Sequence, residues 1–259
     1  MAYLTRDGVK LFYELDGRGA PPVVLVHGWT CNHTYFAPQR EHLRKNHQVL
    51  SVDLRGHGQS DKPHQEYSIA GFADDVAWMA RELGLAKPVV MGHSMGGMIT
   101  VALAQRHPEL PAAIVVSDAP LVLPPPMSAN LKAIAQSLHQ PDWRDRHREL
   151  LRNLLFIASD DAGRRERIID DMCSAPDHVA VGCFDAIANT DLSPAVESSK
   201  IPFLFIGAEN PPSDTVRMRQ LCPSLVVGQT AGAGHFHQLE VPEQVNAMID
   251  RFLQVTGMG

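Results

Sequence analysis

Two rhythms of apolar residues run along this chain. Residues 9–15 alternate as a half-buried strand, and Asp16-Gly17-Arg18-Gly19 turns the chain after it. The runs at 22–26, 48–53, 89–91, 111–117 and 201–207 are instead almost continuously apolar, the pattern of strands covered on both faces. Between them the period lengthens to that of a helix: at 35–45, at 69–83, where Phe72, Val76, Met79 and Leu83 share a face behind a capping Ser68, and at 98–107, which Pro108 ends. Strand and helix in alternation, joined by right-handed crossovers, predict an α/β fold with a mostly parallel central sheet and helices on both faces.

The alternation stops near residue 121. After Pro124-Pro125-Pro126 come four helical patterns, at 128–139, 142–157, 163–173 and 176–189, with no strand among them. The sheet pattern then resumes with strand 201–207, helix 213–221, strand 225–228 and helix 242–255. A helical block between two strands of one sheet reads as an insertion over the carboxyl ends of the strands. The predicted organisation is a core of residues 1–120 and 197–259 carrying a helical cap of residues 121–196.

The chemistry gathers at the strand ends. Gly92-His93-Ser94-Met95-Gly96 is G-x-S-x-G between a strand and a helix, the context in which the serine sits on a sharp strained turn with its hydroxyl exposed. The helix start after it aims free N–H groups, that of Met95 first, at any oxyanion forming there. The buried strand before His27-Gly28-Trp29 delivers a second backbone donor, the N–H of Trp29, to the same crevice. A serine hydroxyl needs a base and an orienting carboxylate. His235, in the loop Gly232-Ala233-Gly234-His235, is placed on the correct edge of the sheet to be that base. His57 and Asp61, in the glycine-punctuated loop 54–63, read as loop-fixing groups.

Composition narrows the function classes. The 259 residues are 44% hydrophobic and 20% charged, with a net charge of −6 and interspersed signs, which gives no electrostatic footprint for nucleic acid or an anionic membrane. A small-molecule substrate is expected, with a homodimer left open. The charge runs 144–148 and 164–167 read as solvated helix faces. Cys31, Cys173, Cys183 and Cys222 have neither C-x-x-C nor metal-ligand spacing and read as reduced, mostly buried thiols; no metal and no cofactor is expected. Residues 1–7 lack a targeting pattern and no segment approaches membrane-spanning length, so a cytoplasmic protein is expected. The run 92–97 is not G-x-G-x-x-G, which removes the dinucleotide reading.

Together, His27-Gly28-Trp29, the loop from Asp53 to Ser60, Gly92-His93-Ser94-Met95-Gly96-Gly97 and Gly234-His235-Phe236 resemble the α/β-hydrolase superfamily, over nearly the whole chain. The resemblance implies the α/β-hydrolase fold and a serine-hydrolase branch, since the dehalogenase and epoxide-hydrolase branches call for an aspartate where Ser94 stands. It also exposes a departure: the position matching the commonest triad aspartate is Asn210, an amide. Some branches carry the acid after the strand preceding the cap, which here is Asp118; Glu209 and Asp214, on the usual acid loop, are its rivals. The expected activity is that of a carboxylesterase (EC 3.1.1): Ser94 nucleophile, His235 base, Asp118 acid, Trp29 and Met95 N–H groups as oxyanion hole. Trp29, Trp143, Phe156 and Phe184, with Met127, Leu131, Leu138 and Leu155, are candidates to line an apolar substrate pocket. Lactone and carbon–carbon bond hydrolysis on the same triad stay open, as do a cofactor-free dioxygenase using His235 and Asp118 and a non-catalytic ligand receptor.

Overall fold

The continuously apolar runs become the middle of one sheet. The computed structural model describes residues 2–259; Met1 and the side chain of Asp145 lie outside the described residues. Strands β1 (Ala2–Arg6), β2 (Val9–Asp16), β3 (Val23–Val26), β4 (Val49–Val52), β5 (Val89–His93), β6 (Ala113–Ser117), β7 (Phe203–Gly207) and β8 (Val226–Gln229) lie in the order β1-β2-β4-β3-β5-β6-β7-β8. All neighbours from β4 to β8 are parallel, whereas β1 and β2 run antiparallel at one edge.

Because successive side chains point to opposite faces, each strand feeds two cores. Val23, Leu25, Met91, Val115 and Leu204 pack against α1 (Ala37–Leu43), α11 (Pro242–Val255) and the short helical turn before α1. Val24, Val26, Val90, Ile114 and Phe205 join the larger cluster under α2 (Ile69–Glu82) and α3 (Met95–Arg106). Ser68 caps α2 as the sequence indicates, its hydroxyl accepting the Gly71 N–H at 3.0 Å.

Between β6 and β7 the chain forms α4 (Pro125–Leu138), α5 (Trp143–Leu155), α6 (Ala162–Cys173), α7 (Asp177–Asn189) and the short α8 (Ser193–Ser198). Their apolar faces belong to the same cluster as α2 and α3. The helices α9 (Thr215–Leu221) and α10 (His237–Glu240) complete the fold; β1, α8 and α10 are additions to the elements expected from periodicity. The run 144–148 departs from a purely solvated face. Arg144 and Arg146 are exposed, but His147 turns inward between the Trp29 and Trp143 rings.

Candidate active site

β5 ends at His93 and α3 begins at Met95, so the whole change of direction falls on Ser94, at φ 54 and ψ −121. A non-glycine residue there stores strain on the order of 1–3 kcal/mol. The surroundings hold it in place: the Ser94 N–H donates to Ser117 O at 2.9 Å, and Ser94 O accepts from Gly97 N at 2.9 Å and Met98 N at 3.2 Å. The flanking glycines are a packing requirement, since a Cβ on Gly92 would land on Gly96 O, and one on Gly96 would land on Val26 O.

β6 places the acid. Asp118 follows its last residue with a left-handed φ of 46, its N–H held by Ile206 O at 2.8 Å. The carboxylate is 2% exposed and both oxygens are engaged: Oδ1 accepts the Ala208 N–H at 2.9 Å, and Oδ2 accepts from His235 Nδ1 at 2.7 Å. With Nδ1–H pointing at the acid, Nε2 is the basic nitrogen of His235. The rivals lie elsewhere. Glu209 is exposed, and Asp214 caps α9 by accepting the Arg217 N–H at 2.8 Å. Asn210 reaches the cavity wall, and the His235 Nδ1 hydrogen bond goes to Asp118.

Ser94, Asp118 and His235 open onto one cavity of about 320 Å³. Trp29, Phe156, Phe184, Met127, Leu131 and Leu155 line it, while Trp143 and Leu138 do not. Trp143 packs on His147 instead, 5.4 Å between ring centroids, and so belongs to the interior of the inserted helices. The Trp29 indole is fixed by donation to Ala180 O at 2.8 Å and an edge-on contact with Phe184. Among the described residues, neither the Trp29 nor the Met95 N–H has a protein acceptor. The wall contains no Lys, Arg or Glu among the described residues; Asp118, engaged by His235, is its one carboxylate. Leu150, Leu154, Ile157, Met172 and Ile187 also line the cavity and escape the sequence reading, because helical periodicity does not separate an insertion's own core from a cavity wall.

Four other histidines are held in fixed hydrogen bonds. His27 donates from Nδ1 to Gly28 O at 2.8 Å and accepts the Leu54 N–H at Nε2. His57 donates to Arg55 O, and burial lowers its pKa to about 3; Asp61 accepts the Lys10 N–H at 2.8 Å, so both fix their loop as expected. His93 lies beneath His235 and donates from Nε2 to the His235 carbonyl at 2.9 Å; burial, then the neighbouring His235, pushes its pKa well below the usual value. His237, which the sequence reading passed over, is buried between Ser117 Oγ at 2.6 Å and Thr230 Oγ1 at 2.9 Å.

Comparison with known proteins bears on the family and the fold. Residues 21–160 match the family described as "alpha/beta hydrolase fold". The chain is 39% identical over 104 residues to the AB hydrolase superfamily protein YisY of Bacillus subtilis (strain 168), covering 40% of this chain and 38% of that protein. It is 36% identical over 110 residues to a 2-(acetamidomethylene)succinate hydrolase of Mesorhizobium japonicum, covering 42% and 40%. These matches span about two-fifths of each relative's length. A thermophilic esterase from Thermogutta terrifontis superposes over 98% of this chain and 97% of its own, with a TM-score of 0.84 and 25% identity. With more than half of its length matched to the family, the chain belongs to the α/β-hydrolases.

Proposed function

We propose that the protein is a serine hydrolase that cleaves carboxylic esters of uncharged, apolar acids through an acyl-serine intermediate. The observation that carries this reading is the 2.7 Å hydrogen bond from His235 Nδ1 to the buried Asp118, on the cavity shared with Ser94. His235 Nε2 takes the proton from Ser94 Oγ as the oxygen attacks the ester carbonyl. Asp118 stabilises the resulting imidazolium, and the N–H groups of Trp29 and Met95 receive the oxyanion. His235 then protonates the departing alcohol, and water, deprotonated by the same nitrogen, releases the acid and regenerates Ser94. The wall favours an apolar acyl group: lined mostly by Leu, Met, Phe and Trp side chains, it offers a substrate carboxylate the neutral amides of Asn153 and Asn210 but, among the described residues, no Lys or Arg, and desolvating such a charge without a counter-charge is costly. A succinate-based substrate, such as that named for the Mesorhizobium relative, meets no Lys or Arg among the described residues of this wall.

The test compares p-nitrophenyl butyrate, hexanoate and octanoate turnover by the wild type and Ser94→Ala, with intact-mass analysis after a fluorophosphonate probe. The expected result is one label on Ser94 and a loss of at least about 10³-fold in kcat in the variant. An unlabelled wild type without ester turnover rejects the reading and directs attention to oxygen-dependent chemistry on His235 and Asp118 or to ligand binding without turnover.

A further inference from the structure

The loop that carries His235 is not held by the core alone. Its two consecutive backbone N–H groups both end on the helical insertion: Gly234 donates to Asp160 Oδ1 at 2.8 Å, and His235 donates to Leu155 O at 3.0 Å. Asp160, 6% exposed, uses its second carboxylate oxygen to accept the Ile157 N–H at 2.8 Å. One side chain therefore closes the turn after α5 and grips the loop before the base. Packing follows the same seam. Phe156 stacks on Phe236 at 5.5 Å, and a Cβ on Gly234 would meet Asp160 Oδ2, Leu155 O and Ile157 N. On the far side of the same residue, the His235 carbonyl accepts from His93.

We propose that Asp160 is a positioning residue for His235, so that the helical insertion and the catalytic base form one mechanical unit. Asp160 touches neither Asp118 nor Ser94 in any hydrogen bond of the structure; it acts through the backbone of Gly234. The inference rests on the reading of His235 as the base. Its chemistry is simple. A carboxylate accepts two backbone N–H bonds at once, whereas a carboxamide accepts through one oxygen and turns an NH₂ toward the other donor. Without the double acceptor, Gly234 loses its anchor, and the imidazole is free to drift from the line between Asp118 and Ser94. Displacement of a catalytic group by about 1 Å costs on the order of 10² in rate.

The experiment uses the full chain as wild type, Asp160→Ala, Asp160→Asn and Gly234→Ala, the last pushing the same pair apart from the other side. Fluorophosphonate titration counts active sites, and kcat, KM and the pH profile of kcat/KM are then measured per titrated site with p-nitrophenyl butyrate. The expected result is a fall of about 10- to 100-fold in kcat for Asp160→Ala, a smaller fall for Asp160→Asn, KM within about twofold of wild type, and a displaced acidic limb of the pH profile. A residue that merely stabilises the fold lowers the number of titratable sites and leaves kcat per site and the pH profile unchanged. That outcome overturns the proposal, and Asp160→Asn keeps it decidable if Asp160→Ala does not fold. A wild type that takes the probe while the variants match it rejects the role of Asp160 alone; a wild type that takes none rejects it together with the serine-hydrolase reading.

Discussion

Asp118 shows how much of this site hangs on single atoms. Its two oxygens divide two tasks, one pinning the chain after β7 through Ala208 and the other holding the Nδ1–H tautomer of His235. Asp118→Asn keeps the shape but removes the anion that stabilises the imidazolium, so kcat for p-nitrophenyl butyrate is expected to fall about 10⁴-fold, with Ser94 still in place. His237 gives a second residue-scale prediction, this one for stability. Burial lowers its pKa to about 4; Asp118 opposes that shift and His235 adds to it. Between the ordinary value of 6.5 and about 4, the unfolded chain binds a proton that the folded chain refuses. Stability therefore rises with pH through this window and is lost as acid passes down through it, by an amount on the order of 3 kcal/mol for this one group. Burial shifts His147 and His57 in the same direction. Thermal melts from pH 4 to 7 check this, and His237→Gln should flatten the slope below about pH 6.5.

Among the elements, the strand–helix corner at Ser94 is the least tolerant. Gly96 packs its α-carbon against Val26 O and His27 O, two backbone atoms that cannot rotate away. Gly96→Ala is expected to cost about 3 kcal/mol or more and to lower the melting temperature even where substrate is absent. This corner was legible because three glycines and a serine at fixed spacing between a strand and a helix have few other uses. The first strand is not among the elements that the apolar pattern predicts, although the sequence carries a signal for it. Asp7-Gly8, both at positive φ, is the two-residue hairpin turn that joins β1 to β2, and β1 itself is only half-buried at a sheet edge, so its apolar contrast is weak. His147 departs from the expected solvated face for the opposite reason. Its charged neighbours dominate the composition of the run, while the residue itself faces the Trp29 and Trp143 rings. Asp118 enters the sequence reading as the alternative to an amide at position 210, and its hydrogen bond with His235 is a contact between residues 117 positions apart, which no local pattern records.

Across the whole molecule, the proposed function divides the work: strand ends supply the reacting groups, and the inserted helices, with Trp29 and Phe236, supply most of the apolar wall against which a substrate would lie. That division explains why the strands were readable from apolar runs while selectivity was not: the wall is written in the same Leu and Met residues that hold the insertion together. It also makes charge the cleanest lever on specificity. Leu154, at the end of α5, lines the cavity and is 41% exposed, so a long side chain there reaches both the acyl site and solvent. The wild type is expected to prefer p-nitrophenyl butyrate over the p-nitrophenyl half-ester of succinate by about 10²-fold in kcat/KM, because the extra carboxylate must be desolvated without a counter-charge. Leu154→Arg supplies a guanidinium whose head stays hydrated at the mouth and whose stem covers the apolar wall. The ratio should then narrow by about tenfold, mostly through KM for the anionic ester, and the gain should fade in 0.5 M salt, since an exposed pair is screened over a few ångströms. A ratio that salt leaves untouched would mean that the arginine reshapes the cavity and that charge is not what the wall reads.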